Sequence, residues 1–281
     1  MSQLIVLPMN EMRPHPLADM PMELFAEGIA YAETNFIDEH APHLKVDKRL
    51  LRQHFRLDGK RILDFGCGMG GMSLWYATTW QCEVIGIDID AHHLAIAQKL
   101  QDKYGVRNVR FELRNLLEDP PEGPFDFIAM NDVVEHIPIE HLPQIFRAFS
   151  QLLTPEGQLF ISYPPWQSPY ASHVVHAVGI PWCQYLPEPL LLWLIRRHNK
   201  PLVGQLESDL LSAYRGLNQL THPKLMSILA QTDLQLRWRK SHSILNRIAA
   251  IPQGWIRRWP LHLLITKEFV LLEKAHSCLS T

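Results

Sequence analysis

RILDFGCGMGG, residues 61–71, is the stretch whose reading decides the fold. A short apolar run, Ile62 and Leu63, ends in Asp64, and Gly66, Gly68, Gly70 and Gly71 follow before helix-forming residues resume at Met72. The pattern predicts a buried strand feeding a glycine-rich turn that opens a helix. Glycines suit that place because the chain must turn sharply and let a ligand touch its backbone, which any Cβ would block.

Two ligand readings share this turn. Gly66, Gly68 and Gly71 satisfy the G-x-G-x-x-G spacing of dinucleotide-binding folds, whereas Gly66, Gly68 and Gly70 satisfy the D-x-G-x-G-x-G form of S-adenosylmethionine-dependent methyltransferases. Asp64 separates them. A carboxylate at the mouth of the turn sits badly beside an anionic pyrophosphate and well beside the ammonium end of a methionine moiety.

Outward from the turn, strand and helix patterns alternate. Met72–Thr79 reads as a helix, Glu83–Ile87 as a second strand ending at Asp88, and Ala91–Tyr104 as a helix capped by Asp90, with His92 and His93 on its solvated first turn. Asp88 stands about 20 residues beyond the first strand, the spacing at which doubly wound folds set a carboxylate on a ribose diol. Val109–Leu113 and Phe125–Met130 read as further strands, Glu140–Leu153 as a helix, Thr154–Gly157 as a turn and Gln158–Tyr163 as a fifth strand. The alternation predicts an α/β fold with a parallel, doubly wound sheet that binds ligands at its strands' carboxyl ends. Met22–Phe55 carries helical spacing that places helices across one edge of the site, after an irregular arm over residues 1–20.

Taken together, ILDFGCGMGG, GIDID, RNLLE, FDFIAMNDVVEHIP and LLTPEGQLFISYPP resemble class I S-adenosylmethionine-dependent methyltransferases, in order and spacing, over about residues 60–165. The resemblance implies the family's Rossmann-like, doubly wound, seven-stranded sheet, closed by an antiparallel hairpin for which Leu234–His242 and Leu263–Glu273 qualify. It implies S-adenosylmethionine as cofactor, with Asp64, Gly66, Cys67, Gly68 and Gly70 at the methionine end, Asp88 at the ribose, and Ile89 also among the cofactor-binding residues. Asn115 and Leu116 would meet the adenine, and Asn131 completes the set. Asn115 replaces the acid common in the family, and an amide can both donate to and accept from a purine edge. Residues 164–189 look like the lid of a bacterial small-molecule subgroup whose acceptors are unassigned. The expected organisation is an arm and helices over 1–56, the cofactor-binding core over 57–163, a helical lid insertion between strands five and six over 164–220, and a helix with the closing hairpin over 221–281.

Composition bounds the partners. With 281 residues the chain can bury a substantial core, and its formal net charge is −2. Four dispersed cysteines suggest neither a disulfide framework nor a thiolate metal site, so a reducing cytoplasm is the expected home. The first residues lack the pattern of a signal peptide, and the apolar run 190–195 is far short of a membrane span. Residues 190–281 hold 13 Lys and Arg against 5 Asp and Glu, with Trp193, Trp238, Trp255 and Trp259 beside arginines. Such a surface suits anionic lipid or a phosphorylated acceptor, or else consists of solvated arginines around core tryptophans. The basic residues are too dispersed for a nucleic-acid site, and nothing sets the oligomeric state.

Methyl transfer from a sulfonium needs alignment above all, and a hydroxyl acceptor also needs a base, which a neutral amine does not. His136 after the fourth strand is a candidate base or a residue that positions its turn, and His173 and His176, at i and i+3 in the lid, are further candidates. Tyr163, Trp166, Tyr170 and Trp182 are candidates to line a small-molecule or lipid-linked acceptor's pocket. No recognised ligand motif supports a metal site from Asp132, His136 and a lid histidine, so no metal is expected. The competing functions are an NAD(P)-dependent oxidoreductase, on the glycine spacing alone, and a non-catalytic cofactor-binding protein, since no base is unambiguous.

Overall fold

The chain runs through α1 (Met22–Ile37), α2 (Lys45–His54), β1 (Arg61–Phe65), α3 (Gly71–Trp80), β2 (Glu83–Asp88), α4 (Ala91–Tyr104), β3 (Val109–Leu113), β4 (Phe125–Asn131), α5 (Leu142–Leu152) and β5 (Leu153–Tyr163). An insertion follows with α6 (Val175–Val178), α7 (Glu188–Arg197), β6 (Pro201–Leu202), β7 (Gln205–Asp209) and α8 (Leu210–Gly216). The chain ends in α9 (His222–Leu229), β8 (Leu234–Ser243), α10 (Gln253–Ile256) and β9 (Ile265–Lys274). This computed structural model describes residues 22–198, 201–202, 205–247 and 251–275. The arm expected over residues 1–20 lies outside them.

Seven strands form one sheet in the order β3-β2-β1-β4-β5-β9-β8. The first five are parallel, and β9 enters antiparallel between β5 and β8. Successive side chains of a strand face opposite ways, so Ile62, Val84, Phe127 and Phe160 pack into the core on one face while Leu63, Ile85, Ile128 and Ile161 pack on the other. Both faces are covered, which explains the nearly unbroken apolar runs of the central strands.

Two details depart from expectation. Thr154–Gly157 is not a turn that separates helix from strand. Leu153 pairs with Phe125 and Gln158 with Phe127, so the four residues between them swell from β5 as a bulge. Leu153 is buried beside Phe125, and that burial holds the strand's start in the sheet. The insertion is helical only in part, because β6 and β7 pair as a short antiparallel ribbon.

The insertion builds its own small core from Val174, Val175, Cys183, Leu191, Ile195 and Leu210. Hydrogen bonds then fasten it to the sheet. Asn218 donates its backbone N–H to the Glu135 carbonyl at 2.9 Å, and its side-chain amide donates to the Val134 and Ile137 carbonyls at 2.7 Å each. The Trp182 indole N–H is shared between the carbonyls of Gln167 and Leu263, each at 3.2 Å.

One buried ion cluster crosses three elements. Lys267 of β9 donates to Asp47 of α2 at 2.9 Å and to Asp132, just past β4, at 2.6 Å. Burial alone would lower the Lys267 pKa, yet the two carboxylates outweigh it and hold the ammonium charged. Removing one partner of a buried ion cluster strands the others' charge. Lys267→Met is therefore expected to cost roughly 3–5 kcal/mol of unfolding free energy in urea denaturation; a loss below about 1 kcal/mol contradicts the cluster's role.

Candidate active site

The site grows from the β1–α3 turn. Gly66, Gly68 and Gly70 have φ of 68°, 51° and 79°, a region costly to residues with side chains. A Cβ on Gly66 would lie 2.6 Å from Val133, and one on Gly70 would lie 2.6 Å from Phe111. Over Gly68 the space is different: a Cβ there would meet nothing within 4 Å. The turn is packed on both sides and open in the middle.

Two carboxyls stand at the ends of the adjacent parallel strands β1 and β2. Asp64 is buried and accepts from the Ser73 hydroxyl at 2.5 Å. Burial pushes its pKa up to about 7 against that hydrogen bond, and the charge of Asp88 adds to the rise. Asp88 accepts from the Gly68 N–H at 2.8 Å and the Asp90 N–H at 2.9 Å. Burial would raise it too, but His93 and those N–H groups hold it below the usual carboxylate range. Near neutral pH one acid is poised and its neighbour is ionised.

Beside Asp64, the Asn131 amide donates to the Tyr76 hydroxyl at 3.1 Å, while its buried Oδ1 has no hydrogen-bond partner. Ser73 and Tyr76 were not among the sequence candidates. Their i, i+3 spacing on the helix that opens at the glycine turn is the signal that would have found them. His92 and His93 are not solvated as expected, with side chains only 13% and 17% exposed. Asp90 caps α4 by accepting from both their N–H groups, and this folds the first turn back against Asp88.

The other cofactor candidates divide. Cys67 is buried, and that burial pushes its thiol pKa well up. Ile89 is half exposed past β2. Asn115 spends its Oδ1 on the Leu117 N–H at 3.2 Å, which leaves its amide N–H groups to donate. Leu116 packs in the core with Ile85 and Ile87 and presents little face to a ligand.

The lid candidates divide as well. Tyr163 lies fully buried in the core with an unpartnered hydroxyl, so it does not line an open pocket. Trp182 spends its indole N–H on lid fastening, and the Trp166 carbonyl accepts from Gln184 at 3.0 Å within the lid. Tyr170 packs against the lid core. His136 and His173 do meet, with ring centroids 4.9 Å apart, and Glu135 lies beside them. Burial lowers the His136 pKa to about 4. His176 falls in α6, but its side chain lies outside the described residues. Asp132 is held by Lys267 and is not part of the Glu135, His136 and His173 grouping.

A family model described as a methyltransferase domain matches residues 37–228. The chain belongs to that family. It is 32% identical over 106 residues to phosphoethanolamine N-methyltransferase 3 of Arabidopsis thaliana, covering 37% of this chain and 21% of that one. It is 34% identical over 114 residues to the ubiquinone biosynthesis O-methyltransferase of Nitrosococcus oceani, covering 40% and 47%. The chain thus spans less than half the length of these curated relatives. The fold is similar to that of geranyl diphosphate C-methyltransferase from Streptomyces coelicolor, solved with Mg2+, geranyl-S-thiolodiphosphate and S-adenosyl-L-homocysteine, with a TM-score of 0.55 at 13% identity over 86% of this chain and 80% of that one.

A group whose folded pKa is raised costs stability as pH climbs from its unfolded value, here 3.8, to its folded one, about 7. Asp64→Asn removes that cost. Its stability gain over wild type should be greater near pH 8 than near pH 5 by about two pK units, or ~2.7 kcal/mol. Urea denaturation at both values checks this, and equal gains contradict it.

Proposed function

We propose that the chain is an S-adenosylmethionine-dependent methyltransferase acting on a small or lipid-linked acceptor at a membrane surface. The observation that carries the reading is the pair of carboxyls at the ends of the adjacent strands β1 and β2, Asp64 buried against Ser73 and Asp88 bonded to the N–H of the unobstructed Gly68. The cofactor, when bound, supplies a methyl group already activated on a sulfonium. Asp64 would pair with its ammonium, Asn131 Oδ1 would accept from it, and Asp88 would accept from the ribose hydroxyls with the lone pairs left beyond Gly68 and Asp90. A pyrophosphate in the same place would face two acids, which disfavours a nicotinamide cofactor.

The lid and the segment before β9 favour an amphiphilic acceptor. Trp193 of α7 is 55% exposed and Trp259 is 80% exposed, with Tyr185, Leu190 and Trp255 also exposed. The Arg197 guanidinium lies 5.6 Å from the Trp193 ring centroid. Exposed tryptophan beside arginine fits a headgroup region, where the ring meets apolar chains and the cation meets phosphate. The basic patch read from the sequence is smaller than it looked. Arg239 is taken by the buried Glu268, Arg237 by Glu273, and Trp238 packs on Phe55 and Phe160. No helix among the described residues is long and apolar enough to cross a membrane. Phosphoethanolamine and geranyl diphosphate, named for two of the similar proteins, are both phosphorylated.

Calorimetry tests the cofactor site. Because the ammonium stabilises ionised Asp64, binding releases a proton below the pKa of about 7, so affinity should rise with pH up to that value and then level off. Asp88→Ala should weaken binding roughly 100-fold, from two hydrogen bonds to a charged acceptor. No binding of S-adenosylmethionine or S-adenosylhomocysteine overturns the reading. For the membrane contact, the chain should co-sediment with anionic liposomes at low salt, and Trp193→Gln with Trp259→Gln should release it; a wholly unbound wild type contradicts it.

A further inference from the structure

Glu135 is only 3% exposed, and neither of its carboxyl oxygens has a hydrogen-bond partner. A buried, unpartnered carboxyl is costly as an anion until a proton or a cation relieves it, and the Lys267 ammonium that acts on it is already paired with Asp132 and Asp47. Three features surround it. Its Oε1 lies 3.7 Å from His173 Nε2, beyond hydrogen-bond range. His136, the next residue, sets its ring edge-on to His173 at 76°. One ligand atom from each of the three residues falls within 4.8 Å of the others.

We propose that Glu135, His136 and His173 form a divalent transition-metal site that joins the turn after β4 to the lid. One carboxylate and two imidazoles are a borderline ligand set that suits zinc-like ions. With metal–ligand bonds near 2.1 Å, tetrahedral ligands stand about 3.4 Å apart, so the Glu135–His173 separation needs to close by only a few tenths of an ångström. The ion neutralises the Glu135 carboxylate. Three protein ligands leave a position for an oxygen of the acceptor or of water.

Backbone conformation points the same way. His173 has φ 57°, a left-handed conformation that costs a non-glycine residue and persists where its surroundings demand it. A ligand bond supplies that demand. The sequence offered Asp132 for such a site, and Lys267 and Asp47 occupy that carboxylate instead. A metal-bound nitrogen cannot take up a proton, so His136 and His173 serve here as ligands in place of the base role considered for them.

The test uses the full, untagged chain stripped of metal and titrated with Co2+ or Zn2+. The expected result is uptake of one equivalent, with the visible absorption of tetrahedral Co2+. Glu135→Gln and His173→Asn should each weaken uptake more than tenfold; asparagine tolerates the left-handed backbone and so keeps the lid's path. If His173→Asn fails to fold, Glu135→Gln decides. No uptake by the wild type, or uptake unchanged in the folded variants, overturns the site. Binding of S-adenosylhomocysteine is measured on the same samples. Cofactor binding without metal uptake sinks the metal site alone, and metal uptake without cofactor binding sinks the methyl-transfer reading alone.

Discussion

Between the end of β1 and the start of α3 the backbone passes through a gap that side chains cannot enter. Val133 presses on Gly66 from one side, and Phe111 with Ala97 presses on Gly70 from the other. Glycine at both positions lets the strand and helix approach, and their approach sets the depth at which Asp64 and Gly68 sit. The Gly66 and Cys67 N–H groups both donate to the Ile87 carbonyl, at 2.9 and 3.0 Å, so the turn is locked to β2. That lock brings Asp88 to the Gly68 N–H. The two acids are thus a consequence of close packing.

Charge burial recurs around this turn at a cost to stability. Asp64, Glu135, Asp47 and Lys267 are removed from solvent where apolar residues would pack more cheaply, while Asp132, the third member of the ion cluster, is half-buried. They lie along the carboxyl ends of the strands and the elements that cover them: α2, the turn after β4, and β9. Asp132 has φ 54° and donates its backbone N–H to the Ser162 carbonyl at 2.9 Å, so the turn that carries Glu135 and His136 is held from β5 as well as by Lys267. The lid reaches that turn through Asn218. The lid is thus tied to the strand ends through those hydrogen bonds.

Much of this was legible in the sequence because it rests on local spacing. Period-two burial, the glycine turn, the Asp90 cap and the acid that ends β2 are each set by neighbours within a few residues. The contacts that escaped are long-range. Lys267 meets Asp47 across 220 positions, and Trp182 meets Leu263 across 81. Asp132 and Glu135 stand three apart on one turn, and only the position of β9 decides which of them faces a lysine and which faces the lid. Leu116 was expected at the adenine on the family resemblance and Tyr163 as a pocket residue, yet both side chains turn into the core. The bulge at Thr154–Gly157 was hidden for a similar reason: turn-forming residues cannot reveal that Leu153 before them is buried in the sheet.

The central claim is that Asp64 and Asp88 hold opposite ends of one sulfonium cofactor. A crystal structure of the full chain soaked with S-adenosylhomocysteine measures this directly. The account predicts the amino group within about 3.2 Å of the Asp64 carboxyl and both ribose hydroxyls within about 3 Å of Asp88. A ligand that binds elsewhere, or an Asp64 and Asp88 that face away from it, contradicts the account.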